Sequence, residues 1–245
     1  MSKNTLSTLY TIGHSTRSLD ELVAALRGHG VATLVDIRAF PMSRRMPHFN
    51  RESLEVELPK RGLRYVWMKE LGGHRKKIRN DSPNTGLRND SFRNYADYML
   101  TAEFAQAIGR LLKIAEETKS APTLSPKEGE EDGAPEGLFP TLSPKGGEQD
   151  GAPGDSLPGG LPPTLSASTA DEHGAPGFNS GNTAYMCAER VYFQCHRMLV
   201  SDYLTAHGHT VLHIDDEKRT PRPHKLMAEA HLVDGKLLYN AQELF

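Results

Sequence analysis

Each chemically unusual stretch of this chain follows directly on a short apolar run of strand length. Leu9-Tyr10-Thr11-Ile12 leads into Gly13-His14-Ser15, and Leu34-Val35 leads into Asp36-Ile37-Arg38. Ala184-Tyr185-Met186 leads into Cys187-Ala188-Glu189, and Val211-Leu212-His213-Ile214 ends at Asp215. Helical spacing separates these runs: Ser18-Leu19-Asp20-Glu21 reads as a capping box, after which Leu19, Leu22, Val23 and Leu26 fall on one face up to Gly30. Strands alternating with helices predict a three-layer α/β sandwich with a mainly parallel sheet and right-handed crossovers. In such sheets ligands bind outside the carboxyl ends of the strands, which is where this chain places its polar residues.

The remaining elements follow the same alternation. Val31 to Ile37 reads as the second strand, Arg51 to Arg61 as a helix capped by Asn50 and stopped by Gly62, and Leu63 to Met68 as the third strand. Thr101 caps a longer helix whose Phe104, Ala107, Ile108, Leu111, Leu112 and Ala115 form an apolar stripe. A strand near Ala184 to Cys187, a helix from Gln194 to His207 ended by Gly208, and a strand from Thr210 to Ile214 come next. From Lys225 onward the pattern offers a short helix and a final strand.

Residues 119–182 break the pattern. They are rich in Pro, Gly, Ser, Glu and Asp and nearly devoid of large apolar side chains, so they cannot bury enough surface to offset the entropy of ordering. They also repeat: Pro122 through Pro135 returns as Pro140 through Pro153 and, degraded, as Pro163 through Pro176. No unit has an apolar face to stack on the next, which excludes a solenoid. We expect one α/β domain in two parts, residues 1–118 and 183–245, interrupted by a disordered repeat insert that folding does not need. A Pro-rich docking segment is the alternative reading of the insert.

The insert hides the charge of the rest. It holds three lysines against ten acidic residues, a net of −7, so a chain of formal charge −2 carries +5 outside it. Between Arg38 and Arg79 there are twelve Lys or Arg against four Glu, and many of these cations fall among Pro, Gly and Asn rather than at helical spacing. That block predicts an anionic partner, either a phosphate-bearing small molecule or nucleic acid. The competing reading is a solvated surface. Two cysteines, an opening Met1-Ser2-Lys3-Asn4 without a signal-like apolar stretch, and no apolar run near the ~18 residues of a membrane span lead us to expect the cytoplasm and no membrane partner.

Several of these motifs together resemble the domain of unknown function 488 family. They are Thr11-Ile12-Gly13-His14-Ser15; Val35-Asp36-Ile37-Arg38 with Pro41, Ser43 and Arg44; Leu71-Gly72-Gly73 with Arg75; and Met186-Cys187-Ala188-Glu189 with Cys195-His196-Arg197. The resemblance covers nearly all of the chain outside the insert. It implies a Rossmann-like fold and a shared polar site without naming a substrate. The insert departs from the pattern at a joint opposite the strand carboxyl ends, so the site is expected to survive it.

Cys187, Glu189, Cys195, His196 and Arg197 form the sharpest local group. Cations and helix starts stabilise a thiolate, so Cys187 reads as a nucleophile with Glu189 or His196 as acid or base; alternatively it is a small buried hydrophobe at a strand end. A metal is the weaker reading, and we expect none and no other cofactor. Cys195 and His196, as neighbours within a helix, would point ~100° apart, and the seven-residue gap between the cysteines matches no common zinc knuckle.

Asp36 is either a general base or the partner of an arginine such as Arg44. Arg38, Arg44, Arg75 and Arg197 suit phosphate binding, and His14 and Ser15, with Ser43 and Cys195, complete the expected substrate contacts. Tyr65 and Trp67 could stack on bases. Two function classes follow: an enzyme acting on a nucleotide or nucleic acid, with Asp36, Cys187, Glu189 and His196 catalytic, or a non-catalytic binding module using the same crevice. A thiol-dependent enzyme of a small anionic metabolite is a further alternative. The terminal Leu244 and Phe245 partly resemble the end of a sliding-clamp-binding peptide, although docking of such a tail onto its own domain is the stronger reading.

Overall fold

A computed structural model describes residues 6–122 and 180–240. The body of the expected repeat insert and the terminal Leu244 and Phe245 lie outside the described residues.

The capping box forms as read. Ser18 accepts from the Glu21 amide while Glu21 reaches back to the Ser18 amide, starting α1 (Leu19–Gly28) between β1 (Thr8–Gly13) and β2 (Val31–Asp36). A 3₁₀ turn at Pro47–Phe49 precedes α2 (Arg51–Lys60), and Gly62, at φ +71°, reverses the chain into β3 (Arg64–Trp67). Asn50 does not cap α2 with its side chain; its Oδ1 accepts from the Ser43 amide at 2.6 Å and holds the preceding loop instead. Then come α3 (Asp90–Met99), α4 (Ala102–Ser120), β4 (Asn182–Cys187), α5 (Arg197–Ala206) and β5 (Thr210–His213). Two-residue β6 (Arg222–Pro223) precedes a hairpin of β7 (Ala230–Val233) and β8 (Lys236–Tyr239).

Three expectations are corrected. Among the described residues no helix follows Lys225, where the chain makes a turn before the hairpin. The fifth helix begins at Arg197, because Tyr192–Gln194 form a separate 3₁₀ turn and Cys195 is extended (φ −134°, ψ 151°). Helix α4 runs through Ser120 and β4 starts at Asn182, so both ends of the stretch read as insert carry regular structure.

The main sheet has the order β3-β2-β4-β1-β5-β6, parallel throughout except for the β5–β6 pair. Strand side chains alternate between two cores. Leu34, Ala184 and Met186 pack with Leu22 and Leu26 of α1 and Leu54 and Leu58 of α2 on one face. Val35, Tyr185 and Val211 pack with Tyr95 of α3, Phe104 and Leu111 of α4, and Leu199 of α5 on the other. From β2 the chain moves outward to β3 over the first face, whereas from β4 it returns across β1 to β5 over the second. The exits of these adjacent strands therefore diverge, which opens the carboxyl edge between them.

The two ends of the interrupting segment meet at the opposite edge. The Gly181 amide donates to Thr118 O at 3.2 Å, and the Asn182 amide donates to Gly30 O at 2.8 Å. With the ends already adjacent, replacing residues 123–179 by a short Gly-Ser link should preserve cooperative unfolding and raise stability by on the order of 2 kcal/mol through the shorter closed loop. Loss of the cooperative transition in denaturant titration would show that the insert is structural.

Candidate functional site

Backbone pairing continues past the strand ends and fixes the start of each loop. The Ile37 amide donates to Met186 O at 2.9 Å, His14 to Cys187 O at 3.0 Å and Ser15 to Ala188 O at 2.8 Å. Gly13 permits this, since a Cβ there would overlap the Glu189 carbonyl. His14, Asp36, Arg38 and Cys187 are thereby brought to one edge.

Asp36 is fully buried and forms an ion pair with Arg38 rather than with Arg44. Arg38 Nε donates to both carboxylate oxygens (2.9 and 3.0 Å), Nη2 to Oδ2 (2.5 Å), and the Arg38 amide to Oδ1 (3.0 Å); the Tyr65 hydroxyl adds a bond of 2.7 Å. With its acceptor positions taken, this carboxylate holds the loop, and no lone pair faces solvent to abstract a proton. The rest of the guanidinium donates to Phe49 O and to His14 Nε2 (2.8 and 3.2 Å). His14 Nδ1–H in turn donates to Ser15 O at 3.0 Å, so the ring is neutral with its tautomer set by its neighbours. Burial, with Arg38 alongside, lowers its pKa from 6.5 to about 4.

One layer away, Cys187 at the end of β4 meets Cys195 and His196 at the start of α5. His196 Nδ1 lies 3.4 Å from Cys195 Sγ and 3.9 Å from Cys187 Sγ, and the three donor atoms fall within 4.8 Å of one another. His196 Nε2 lies 3.2 Å from Ile37 O, a partner that only an N–H satisfies, which leaves Nδ1 as a lone pair facing both sulfurs. The divergence expected of Cys195 and His196 does not occur, because both precede the regular helix. The hydrogen bond from the Cys187 thiol, with Arg197 behind it, lowers the Cys195 pKa to about 7 against the opposing effect of burial. The same bond together with burial pushes Cys187 up. The more acidic thiol is thus Cys195, where the sequence pointed to Cys187.

A loop roofs this centre. Gly73 lies directly against the His196 ring, where a Cβ would collide, and Gly72 packs on Ala39, whose Cα would be 2.7 Å from an added Cβ. Tyr95 and Tyr98 of α3 fasten the loop through hydroxyl bonds to Leu71 O and Glu70 O (2.8 and 2.7 Å). Arg75 donates to Gly72 O at 2.9 Å and to Glu70 O, with its guanidinium 3.6 Å from the Tyr98 ring centre, so it closes the loop instead of facing a ligand. These tyrosines were missed in the sequence, although Asn89 followed by Phe92, Tyr95, Ala96 and Met99 has the cap and spacing of a helix. Outside the roof is a hollow of about 200 Å³ lined by Phe40, Lys69, His74 and Arg75 together with the carboxylates Glu70 and Glu103.

The other expected residues distribute unevenly. Arg197, 1 % exposed, donates to Thr11 Oγ1 (3.1 Å) and to the carbonyls of Glu189 and Arg190 (2.5 and 3.2 Å), so it ties β1 to the loop after β4. Glu189 itself is exposed. Ser43 Oγ accepts from the Met46 amide at 3.1 Å within its own loop. Trp67 is engaged as well, donating to Arg38 O at 2.9 Å beneath the Arg51 guanidinium. Arg44 is exposed. Ser15, at φ +51°, lines a cavity of about 630 Å³ beside β1 and β5, away from the thiols. Arg17 and Arg190 there face Asp20, Glu21, Asp215, Asp216 and Glu217, a wall too acidic to favour an anion. No helix among the described residues is long and apolar enough to cross a membrane.

The family model described as "Domain of unknown function DUF488" matches residues 18–131, from the α1 cap through α4. No curated protein and no solved structure matches the chain.

Two outcomes follow from the protonation states. In metal-free, reduced protein, the rate of Cys195 alkylation should rise through a midpoint near 7; peptide mapping that shows a midpoint at the ordinary thiol value would remove the thiolate. For His14, the folded pKa lies below the unfolded one, so the unfolded state binds the proton first as pH falls. Stability should therefore drop between pH 6.5 and about 4, by up to about 3 kcal/mol from this residue. His14→Gln should flatten that loss in denaturant titrations at pH 7 and pH 5, and equal slopes in both proteins would exclude His14 as its source.

Proposed function

The chain belongs to the DUF488 family, a name that carries no activity, so the chemistry has to come from the site itself; we propose an enzyme acting on a nucleotide or nucleic acid at the carboxyl edge of the sheet. The observation that carries the proposal is the shared loop: Leu71 to Arg75 is at once the roof of the Cys187, Cys195 and His196 centre and a wall of the hollow lined by Phe40, Lys69 and His74. Chemistry belongs to the thiol and imidazole groups, and recognition to the loops above them.

The composition of those loops supports a phosphate-bearing substrate. Arg44, Arg45, Lys76 and Lys77 are all exposed on the segments that follow β2 and β3. Phe40 is 68 % exposed with its ring 6.0 Å from that of His74, edge to face, and Phe193 is 56 % exposed beyond β4. Cations interleaved with solvent-facing aromatic rings suit phosphates and bases together. Arg38, Arg75 and Arg197, engaged by the protein itself, serve to shape this surface. A pure binding module has no use for two thiols and an imidazole assembled beneath it, which favours the enzyme. Both cysteines are free, and this fits a reducing compartment, the cytoplasm.

Binding of single-stranded oligonucleotide should weaken steeply with salt. Arg44→Ala combined with Lys77→Ala should reduce the log–log salt slope by about 0.7 for each phosphate no longer neutralised, without changing thermal stability. Arg75→Ala should instead lower stability, since it unfastens the roof. Absence of binding at low salt, or a slope untouched by the Arg44 and Lys77 changes, would redirect the proposal to a small metabolite.

A further inference from the structure

We infer that Cys187, Cys195 and His196 form a zinc site with three protein ligands. The inference rests on the proposed reading of this cluster as the chain's chemical centre, and it specifies how that centre works.

Geometry carries it. With Zn–S near 2.3 Å and Zn–N near 2.0 Å, tetrahedral coordination places sulfur and nitrogen ligands about 3.6 Å apart. The two S···N distances here are 3.4 and 3.9 Å, on either side of that value, and the whole donor set lies within 4.8 Å. The seven-residue gap, foreign to zinc knuckles, is no obstacle, because one ligand ends a strand and the other two begin a helix.

Orientation supports the same assignment. One lone pair on Nδ1 faces two sulfurs, more donors converging than a single S–H···N hydrogen bond uses. The Ile37 carbonyl that accepts from Nε2–H is the outer-shell partner a metal-bound histidine has, and it fixes which nitrogen is free to ligate. The Arg197 amide donates to Cys195 Sγ at 3.5 Å, as outer-shell amides do to metal thiolates. Gly73 on one side of the ring and Tyr95, 5.2 Å away between ring centres, prevent the imidazole from rotating out. Thiolate and imidazole ligands select zinc over magnesium or calcium. Loading replaces two thiol protons, released to solvent, with one divalent ion. Three protein ligands are the number that catalytic rather than structural zinc sites supply.

The test uses the full chain, reduced and stripped of metal with a chelator, titrated with cobalt(II) as the spectroscopic stand-in for zinc. One equivalent should produce thiolate-to-cobalt charge-transfer absorption and tetrahedral visible bands, which zinc should abolish. Zinc should also protect both cysteines of the wild type from alkylation, a readout that needs no variant to fold. Cys195→Ser and His196→Gln, checked for native circular dichroism, should weaken cobalt binding by more than the roughly 10–100-fold that loss of an outer-shell partner costs. Unprotected thiols with no charge-transfer band, or cobalt bound equally by Cys195→Ser, would overturn the site. Salt-dependent oligonucleotide binding, measured separately on the same metal-free protein, reports on the proposed function: its survival without cobalt binding removes only the metal, and its loss with cobalt binding intact removes only the nucleic acid.

Discussion

The buried pair of Asp36 and Arg38 is the interaction on which the carboxyl edge depends. Taking two charges out of water is expensive, and their attraction offsets that cost only if the remaining hydrogen-bonding positions are also filled. Here they are: backbone and guanidinium N–H groups and the Tyr65 hydroxyl serve the carboxylate, while Phe49 O and His14 Nε2 take the rest of the guanidinium. One pair thereby fixes the exits of β1, β2 and β3 together. It also orients Ile37 between them, whose carbonyl sets the tautomer of His196. Losing one partner of such a pair generally costs about 3–5 kcal/mol, and here it would also release the imidazole from its orientation.

From that constraint the chemistry separates into two layers. The inner layer is buried, and in it a thiol, a second thiol and an imidazole adjust one another: the pKa of Cys195 falls as that of Cys187 rises. The outer layer is wet, carrying the exposed cations and the ring of Phe40. The Gly72-Gly73 step joins the layers because absent side chains let one backbone touch Ala39 and His196 together. A separate buried chain, Asp202 to His224 (2.8 Å) to His213 (3.0 Å), closes β5 against α5 and gives two further histidines a structural role.

Local patterns were legible where local physics decides. The capping box at Ser18, the Thr101 cap and the apolar stripe of α4 are contained within a few residues, and the parallel sheet followed from their alternation with strands. The placement of His14, Asp36, Arg38 and Cys187 at strand carboxyl ends was legible for the same reason. The partner of each polar residue was not. Sequence left Asp36 as a general base or the partner of an arginine such as Arg44, whereas the arginine two residues along, with Tyr65 from the next strand, takes its acceptor positions. Sequence likewise treated Cys195 and His196 as helical neighbours, whereas Cys195 is extended and the thiol and ring converge. The hairpin at residues 230–239 was read as part helix because its strands are only four residues long.

The proposed binding of a nucleotide or nucleic acid over the Leu71–Arg75 roof is most directly tested by ultraviolet cross-linking of a labelled oligonucleotide followed by peptide mapping. Adducts should form on the segments containing Phe40 and His74, and Phe40→Ala should reduce them without loss of folding. Adducts confined to the acidic-walled cavity beside β1 and β5, or spread over the surface without concentrating at this roof, would contradict it.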